Sequence, residues 1–210
     1  MRIPTANIFC IFMPNLVKRR KLYGRFLFIL QLYFMRITNL FRKKSQHALS
    51  LEESNILTIE ANKKIIFDTC SWTIKKIIEY NWGELLVSYD YILDNGSELK
   101  YLGVEQNGNN LLLSIKKDIN IELIDSNVKS EIISNEVPPR ILHFNGIQFL
   151  FDRESIGKSR LEHSSDWTNL TVWEYIDKSK KNVLTIEQYS DKEIFSSVGT
   201  IISINEISLD

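Results

Sequence analysis

A near-duplication constrains this chain more than any other feature. Trp82-x-x-Leu85 leads to Tyr89-Asp90-Tyr91 and on to Tyr101-Leu102-Gly103-Val104-Glu105-Gln106; Trp167-x-x-Leu170 leads to Trp173-Glu174-Tyr175 and on to Val183-Leu184-Thr185-Ile186-Glu187-Gln188. Tyr91 and Glu105 are fourteen positions apart, Tyr175 and Glu187 twelve. The two-residue difference falls in Asp94-Asn95-Gly96-Ser97 against Lys178-Ser179-Lys180-Lys181, polar segments where a hairpin loop lengthens at little cost. In each copy the outgoing strand alternates, Leu102 and Val104 against Gly103 and Glu105, Leu184 and Ile186 against Thr185 and Glu187. Period two marks a half-buried strand, so each hairpin is expected to keep one wet face. The fold class expected is all-β: two similar antiparallel β units, a pseudo-repeat closing as a small sandwich or barrel, behind a basic leader of helical character.

Strand patterns begin near Ser50. Ile56 to Glu60 and Lys64 to Phe67 read as strands, and Trp72 to Tyr80, with β-branched residues at Thr73, Ile74, Ile77 and Ile78, reads as strand over helix. Asn107-Gly108-Asn109-Asn110 signals a turn before Leu111 to Ile115, and Ile119 to Ile124 reads as another strand. Periodicity is lost over Asp125 to Glu136, and Val137-Pro138-Pro139-Arg140 sets an extended linker, since each proline biases its predecessor away from helix. Division is therefore expected into 1–49, a leader; 50–136, a first β unit; and 137–210, a second. Ile141 to Phe144, Asn145-Gly146 and Ile147 to Phe151 form a hairpin signature. Asp152 to Asp166 reads as a polar segment, and Gly199 as a bulge or tight turn in the last strand region. Leu111 to Ile115 and Ile201 to Ile204 are candidate exposed edges.

The formal net charge is zero, but all 26 acidic residues follow Leu51, whereas ten of the 26 basic residues precede Ser45. The body beyond Ser45 is thus acidic by about ten charges, which argues against a nucleic-acid surface there, because phosphate neutralisation supplies most such affinity. The leader carries Lys18-Arg19-Arg20-Lys21, Arg25, Arg36 and Arg42-Lys43-Lys44 around an apolar run from Phe26 to Phe34. Nine helical residues span about 14 Å against roughly 30 Å of hydrocarbon, too little to cross a bilayer. Three readings stand: a basic helix lying on an anionic membrane surface through residues 18–44, a gene start extended upstream of Met35, and a cleaved targeting peptide. Cys10 and Cys70 have no paired spacing, so neither a disulfide framework nor a cysteine zinc site is expected, and a reducing compartment is the simpler assumption.

Motifs for chemistry are thin. Gly157-Lys158-Ser159 resembles the end of a phosphate loop, but the pattern needs glycine five positions before Gly157 and Asp152 stands there. His163-Ser164-Ser165-Asp166 holds the side chains of nucleophilic catalysis, yet adjacent residues rarely converge on one atom. His143 sits among apolar neighbours as a sheet histidine, and with His47 in the leader there are three histidines in all, too few for a histidine metal centre. No metal ligands and no cofactor are assigned.

The order Trp173-Glu174-Tyr175, Leu184-Thr185-Ile186-Glu187-Gln188-Tyr189 and Val198-Gly199 resembles the bacterial domain of unknown function 4178, over roughly Ile56 to Ile207. The resemblance supplies no catalytic residues. It implies a bacterial, cytoplasmic β protein of a kind that travels with membrane-stress, membrane-protein or polyamine-type genes.

Candidate ligand or partner residues are Trp82, Tyr91, Glu105, Trp167, Trp173, Tyr175 and Glu187. The aromatics bring large contact area at low entropic cost, weighed against a role in core packing. Glu105 and Glu187, at matched positions, are able to meet at a shared seam, weighed against two solvated strand ends. The expected function is a non-enzymatic β-rich binding or adaptor protein that takes a protein partner, at the cytoplasmic face of a membrane. The alternative is an enzyme or divalent-cation site at the seam using Glu105 and Glu187.

Overall fold

The computed structural model describes residues 55–210, apart from 84, 85, 109, 136, 191 and 192. The leader, with its expected surface helix, lies outside the described residues. Alternation builds β1 (Lys64–Phe67), β2 (Cys70–Asn81), β3 (Val87–Asp94), β4 (Leu99–Asn107) and β5 (Asn110–Asp118), then β6 (Ile141–Phe144), β7 (Ile147–Leu161), β8 (Thr168–Asp177), β9 (Asn182–Tyr189), β10 (Ile194–Ile202) and β11 (Ile207–Leu209). All join one antiparallel sheet in the order β11-β1-β2-β3-β4-β5-β10-β9-β8-β7-β6.

The sheet closes on itself. The long β2 gives its first four residues, Cys70–Thr73, to β1 and its last four, Ile78–Asn81, to Leu161–Lys158 of β7, while β7 gives its first four, Ile147–Leu150, to β6. Eight strands, β2-β3-β4-β5-β10-β9-β8-β7, therefore form a ring with two seams between the halves of the chain, β5–β10 and β2–β7. Each long strand carries one irregularity, between Ile74 and Lys76 in β2 and between Phe151 and Arg153 in β7, as bending around a ring requires. At the first seam Gly199 pairs with Lys116, and a Cβ there would overlap the Ile115 carbonyl oxygen and lie 2.7 Å from the Lys116 Cα. Gly199 is thus a mid-strand close approach, where the sequence suggested a bulge or turn.

Two short hairpins start the two series. Asp68 and Thr69 (φ 50° and 61°) join β1 to β2, and Asn145 and Gly146 (φ 49° and 77°) join β6 to β7. Left-handed backbone at both central residues matches the twist of the flanking strands.

The apolar residues lie in two separate cores on the outer faces of the ring. The first gathers Ile65, Trp72, Ile74, Ile77, Tyr91, Leu93, Leu102, Val104, Leu113 and Ile115 under Ile56 and Ile59, with Ile204 and Ile207 packed against it. The second gathers Leu142, Phe144, Phe149, Trp173, Tyr175, Leu184 and Ile186 under Ile121, Ile124, Val128 and Ile132. Covers are exchanged between halves: α1 (Val128–Asn135), which precedes the proline linker, roofs the second core, and β11 at the end of the chain pairs with β1 beside the first.

Several local expectations are corrected. Ile56 to Glu60 holds a helical end and a turn, and Ile119 to Ile124 holds the 3-10 helix Ile121–Leu123, capped by Asn120, whose side chain accepts from the Glu122 N–H at 3.0 Å. In both, the buried residues are three apart, Ile56 with Ile59 and Ile121 with Ile124, a spacing that suits a turn lying over a core. The polar stretch from Asp152 to Leu161 continues β7. Leu111 to Ile115 is no edge, since β5 is paired on both sides, and Ile201 and Ile202 pair with β5 through Ser114 and Leu113. Among the described residues no helix is long and apolar enough to cross a membrane.

Candidate functional site

The wet faces of the hairpins turn inward. Strand register places on one face Ile78 and Tyr80 of β2, Ser88 and Asp90 of β3, Tyr101, Gly103 and Glu105 of β4, and Ser114, Lys116 and Asp118 of β5. Around the ring the same face continues through Ser197 and Gly199, Thr185, Glu187 and Tyr189, Leu170, Val172 and Glu174, and Arg153, Gly157 and Ser159. Contacts between strands that are not neighbours show that this face is the interior: Arg153 of β7 reaches Glu105 of β4.

Two ionic clusters occupy it. In the first, the Arg153 guanidinium donates through Nη1 to Glu105 Oε1 at 2.6 Å, through Nη2 to Glu105 Oε2, and through Nε to Glu174 Oε2. This fork holds β7, β8 and β4 together with charge-assisted bonds. Burial works against the guanidinium, but the hydrogen bond and charge of Glu105 and Glu174 outweigh it and keep Arg153 charged.

In the second cluster, Lys116 Nζ donates to Asp90 Oδ2 at 3.0 Å, and the Tyr80 hydroxyl donates to the same oxygen at 3.2 Å. Burial disfavours the ammonium, yet Asp90 first and Glu187 second raise its pKa. Glu187 accepts the Tyr189 hydroxyl at 3.1 Å. Burial pushes its carboxyl up to about 7; Lys116 pulls against this shift, and the Asp90 charge adds to it. Tyr80 is raised well above its ordinary value, by burial first and then by the charges of Glu187 and Asp90. Thr185, 2% exposed on the same face, has no hydrogen-bond partner for its hydroxyl among the described residues. Tyr80 also packs with Leu170 and Val172, an apolar plug at the end of the ring that carries the β2–β7 seam.

The seven residues singled out from the sequence fall into three places. Tyr91, Trp173 and Tyr175 are core: they are at most 2% exposed, and the tyrosine hydroxyls donate to the backbone carbonyls of Ile56 and Pro139, each at 2.9 Å. Glu105 and Glu187 both face the interior, one bound to Arg153 and the other set in the Lys116 cluster. Trp82 and Trp167, matched in sequence, differ in setting. Trp82 stacks on Tyr80 at 5.4 Å and donates Nε1 to Ser88 Oγ at 2.8 Å; Trp167 lies on the surface under the Arg160 guanidinium, 4.4 Å from its ring. Arg160 is itself held by Glu79 Oε2 at 2.5 Å.

Sequence reasoning missed Arg153, Lys116, Asp90, Tyr80 and Tyr189. Their common signal was a charged or hydroxylic residue at every second position of a strand, which reads equally well as a solvated face. A shallow depression of about 310 Å³ opens beside the interior, lined by Ile78, Ser159, Arg160, Leu161, Ser164, Asp166, Thr168 and Tyr189. Among the described residues, no group of three or more His, Cys, Asp or Glu side chains is arranged to hold a metal ion.

The fold and interior define a class: an all-β ring with apolar cores outside and an ionic network within. The chain belongs to the family described as domain of unknown function (DUF4178), whose family model matches residues 60–203. No curated protein and no solved structure matches it.

Proposed function

We propose that this chain is a non-enzymatic β-rich binding or adaptor module that engages a protein partner. The observation that carries this reading is the commitment of three interior carboxylates, Glu105, Glu174 and Asp90, to cations of the protein itself. Glu105 and Glu174 share the Arg153 guanidinium, and Asp90 holds the Lys116 ammonium beside Glu187. A carboxylate so paired is a poor ligand for a divalent ion, because the ion would first have to displace a charged, hydrogen-bonded partner. Partner contact then belongs to exposed apolar side chains, Ile141 opposite Leu150, and Ile156 and Trp167.

The doubled unit is part of the proposal. Tyr91 pairs with Leu102 and Tyr175 with Leu184, Ser88 pairs with Glu105 and Val172 with Glu187, and each of these tyrosines ties a preceding segment to its own core. A bacterial, cytoplasmic setting, with the basic residues between 18 and 44 meeting an anionic membrane surface, completes the proposal.

The test is thermal melting of the full chain with millimolar magnesium, calcium, manganese or zinc, paired with flotation on vesicles with and without anionic lipid. The expected result is a melting temperature unmoved by all four ions and flotation on anionic vesicles alone. A saturable rise in melting temperature with one divalent ion, lost in Glu105→Gln or Glu187→Gln, would favour the alternative, a cation or enzyme site at the seam.

A further inference from the structure

The interior is unequal in charge where the ring closes. Around Lys116 stand two carboxylates, Asp90 and Glu187, and the ammonium donates its hydrogen bond to Asp90. Each carboxylate also accepts a hydrogen bond from a tyrosine beside the closing seam. Asp90 accepts from Tyr80 of β2, while Glu187 accepts from Tyr189, which lines a shallow depression together with Ser159 of β7. Tyr80 and Ser159 are themselves register partners in that seam, which rests on four residue pairs, Ile78–Asn81 against Leu161–Lys158. The shallow depression lined by Ser159, Thr168 and Tyr189 brings solvent to Tyr189, the hydrogen-bond partner of Glu187.

We propose that this cluster makes closure of the ring at the β2–β7 seam proton-sensitive, with a proton on Glu187 holding the seam shut and its loss loosening it. A neutral carboxyl removes one negative charge from a poorly solvated space that holds one ammonium. Ionised, Glu187 repels Asp90 and draws on the same ammonium. The other charged and titratable groups facing it are Asp118 of β5, Tyr101 of β4 and Tyr80 of β2, with Glu174 of β8 facing Lys116. Arg153 is taken up by Glu105 and Glu174.

The sign follows from the elevated carboxyl pKa. The folded chain keeps the Glu187 proton up to about 7, whereas the unfolded chain releases it near 4.5. Stability from this group is full below the unfolded value and is lost as pH rises through 7. In urea titrations of the full chain between pH 5 and 8, the unfolding constant of wild type is expected to rise on the order of 50-fold more than that of Glu187→Gln. Hydrogen exchange, corrected for intrinsic rates, is expected to show amides of residues 78–81 and 158–161 losing protection as pH rises from 5 to 7 while those of β3 and β4 keep theirs. Parallel stability profiles for wild type and Glu187→Gln would overturn the proposal, and so would equal loss of protection across the sheet. Should Glu187→Gln fail to fold, infrared spectra of wild type decide: a protonated-carboxyl band fading near pH 7 supports the proposal, and none above pH 6 overturns it.

Discussion

At the scale of the residue, Arg153 carries more of the molecule than any side chain the sequence brought forward. It is the cation shared by Glu105 and Glu174, and it ties the β7–β8 hairpin to β4, 48 residues earlier in the chain. Replacing it by Met removes the charge and keeps much of the volume, leaving two carboxylates without their partner. Loss of one member of a buried ion pair costs several kcal/mol; with Arg153, Glu105 and Glu174 each partly exposed, the expected loss is about 2 kcal/mol, read as a lower urea midpoint. Adding Glu105→Gln to Arg153→Met should restore part of that stability, since the double variant buries one charge fewer. At a solvated strand end Glu105→Gln would be silent; the ionic contact with Arg153 makes it costly alone.

At the scale of the element, the hairpin between β1 and β2 invites improvement. Thr69 holds φ 61°, a left-handed conformation that a β-branched residue adopts at a cost of about 1 kcal/mol. The matching turn, Asn145-Gly146, uses residues that favour it. Thr69→Gly, or Asp68→Asn with Thr69→Gly, should raise stability by about 1 kcal/mol in thermal or urea unfolding, whereas Gly146→Thr should lower it by a similar amount. The contrast shows what was legible in the sequence. Asn145-Gly146 announces its turn; Asp68-Thr69 does not, and β2 was read as strand from its β-branched residues. Alternation located β3, β4, β8 and β9, because their apolar residues face a core on one side only. It failed where apolar residues three apart cover a core, at Ile56 and Ile59 and at Ile121 and Ile124, and at β7, whose polar inward side chains look like a loop. The ionic site was illegible for a related reason: alternation marks a polar face but not which way it points.

At the scale of the whole molecule, the exchanged covers bind the halves to one another. The segment that roofs the second core lies before the proline linker, and the segment that flanks the first lies at the end of the chain. Fragments cut between 136 and 137 should therefore be poorly folded when expressed singly and should regain native hydrogen-exchange protection when expressed together. A fragment 137–210 that folds by itself, seen as a dispersed amide spectrum, would refute this interdependence. The same layout has a mechanical consequence. Most β sandwiches share one oily layer, which resists separation but slides with little penalty; here the shared layer is ionic and the oily ones lie outside it. Under tension applied across the seams, such a joint behaves as a latch, holding one alignment until Arg153 lets go of Glu105 and then yielding at once, with each oily layer still intact on its own side.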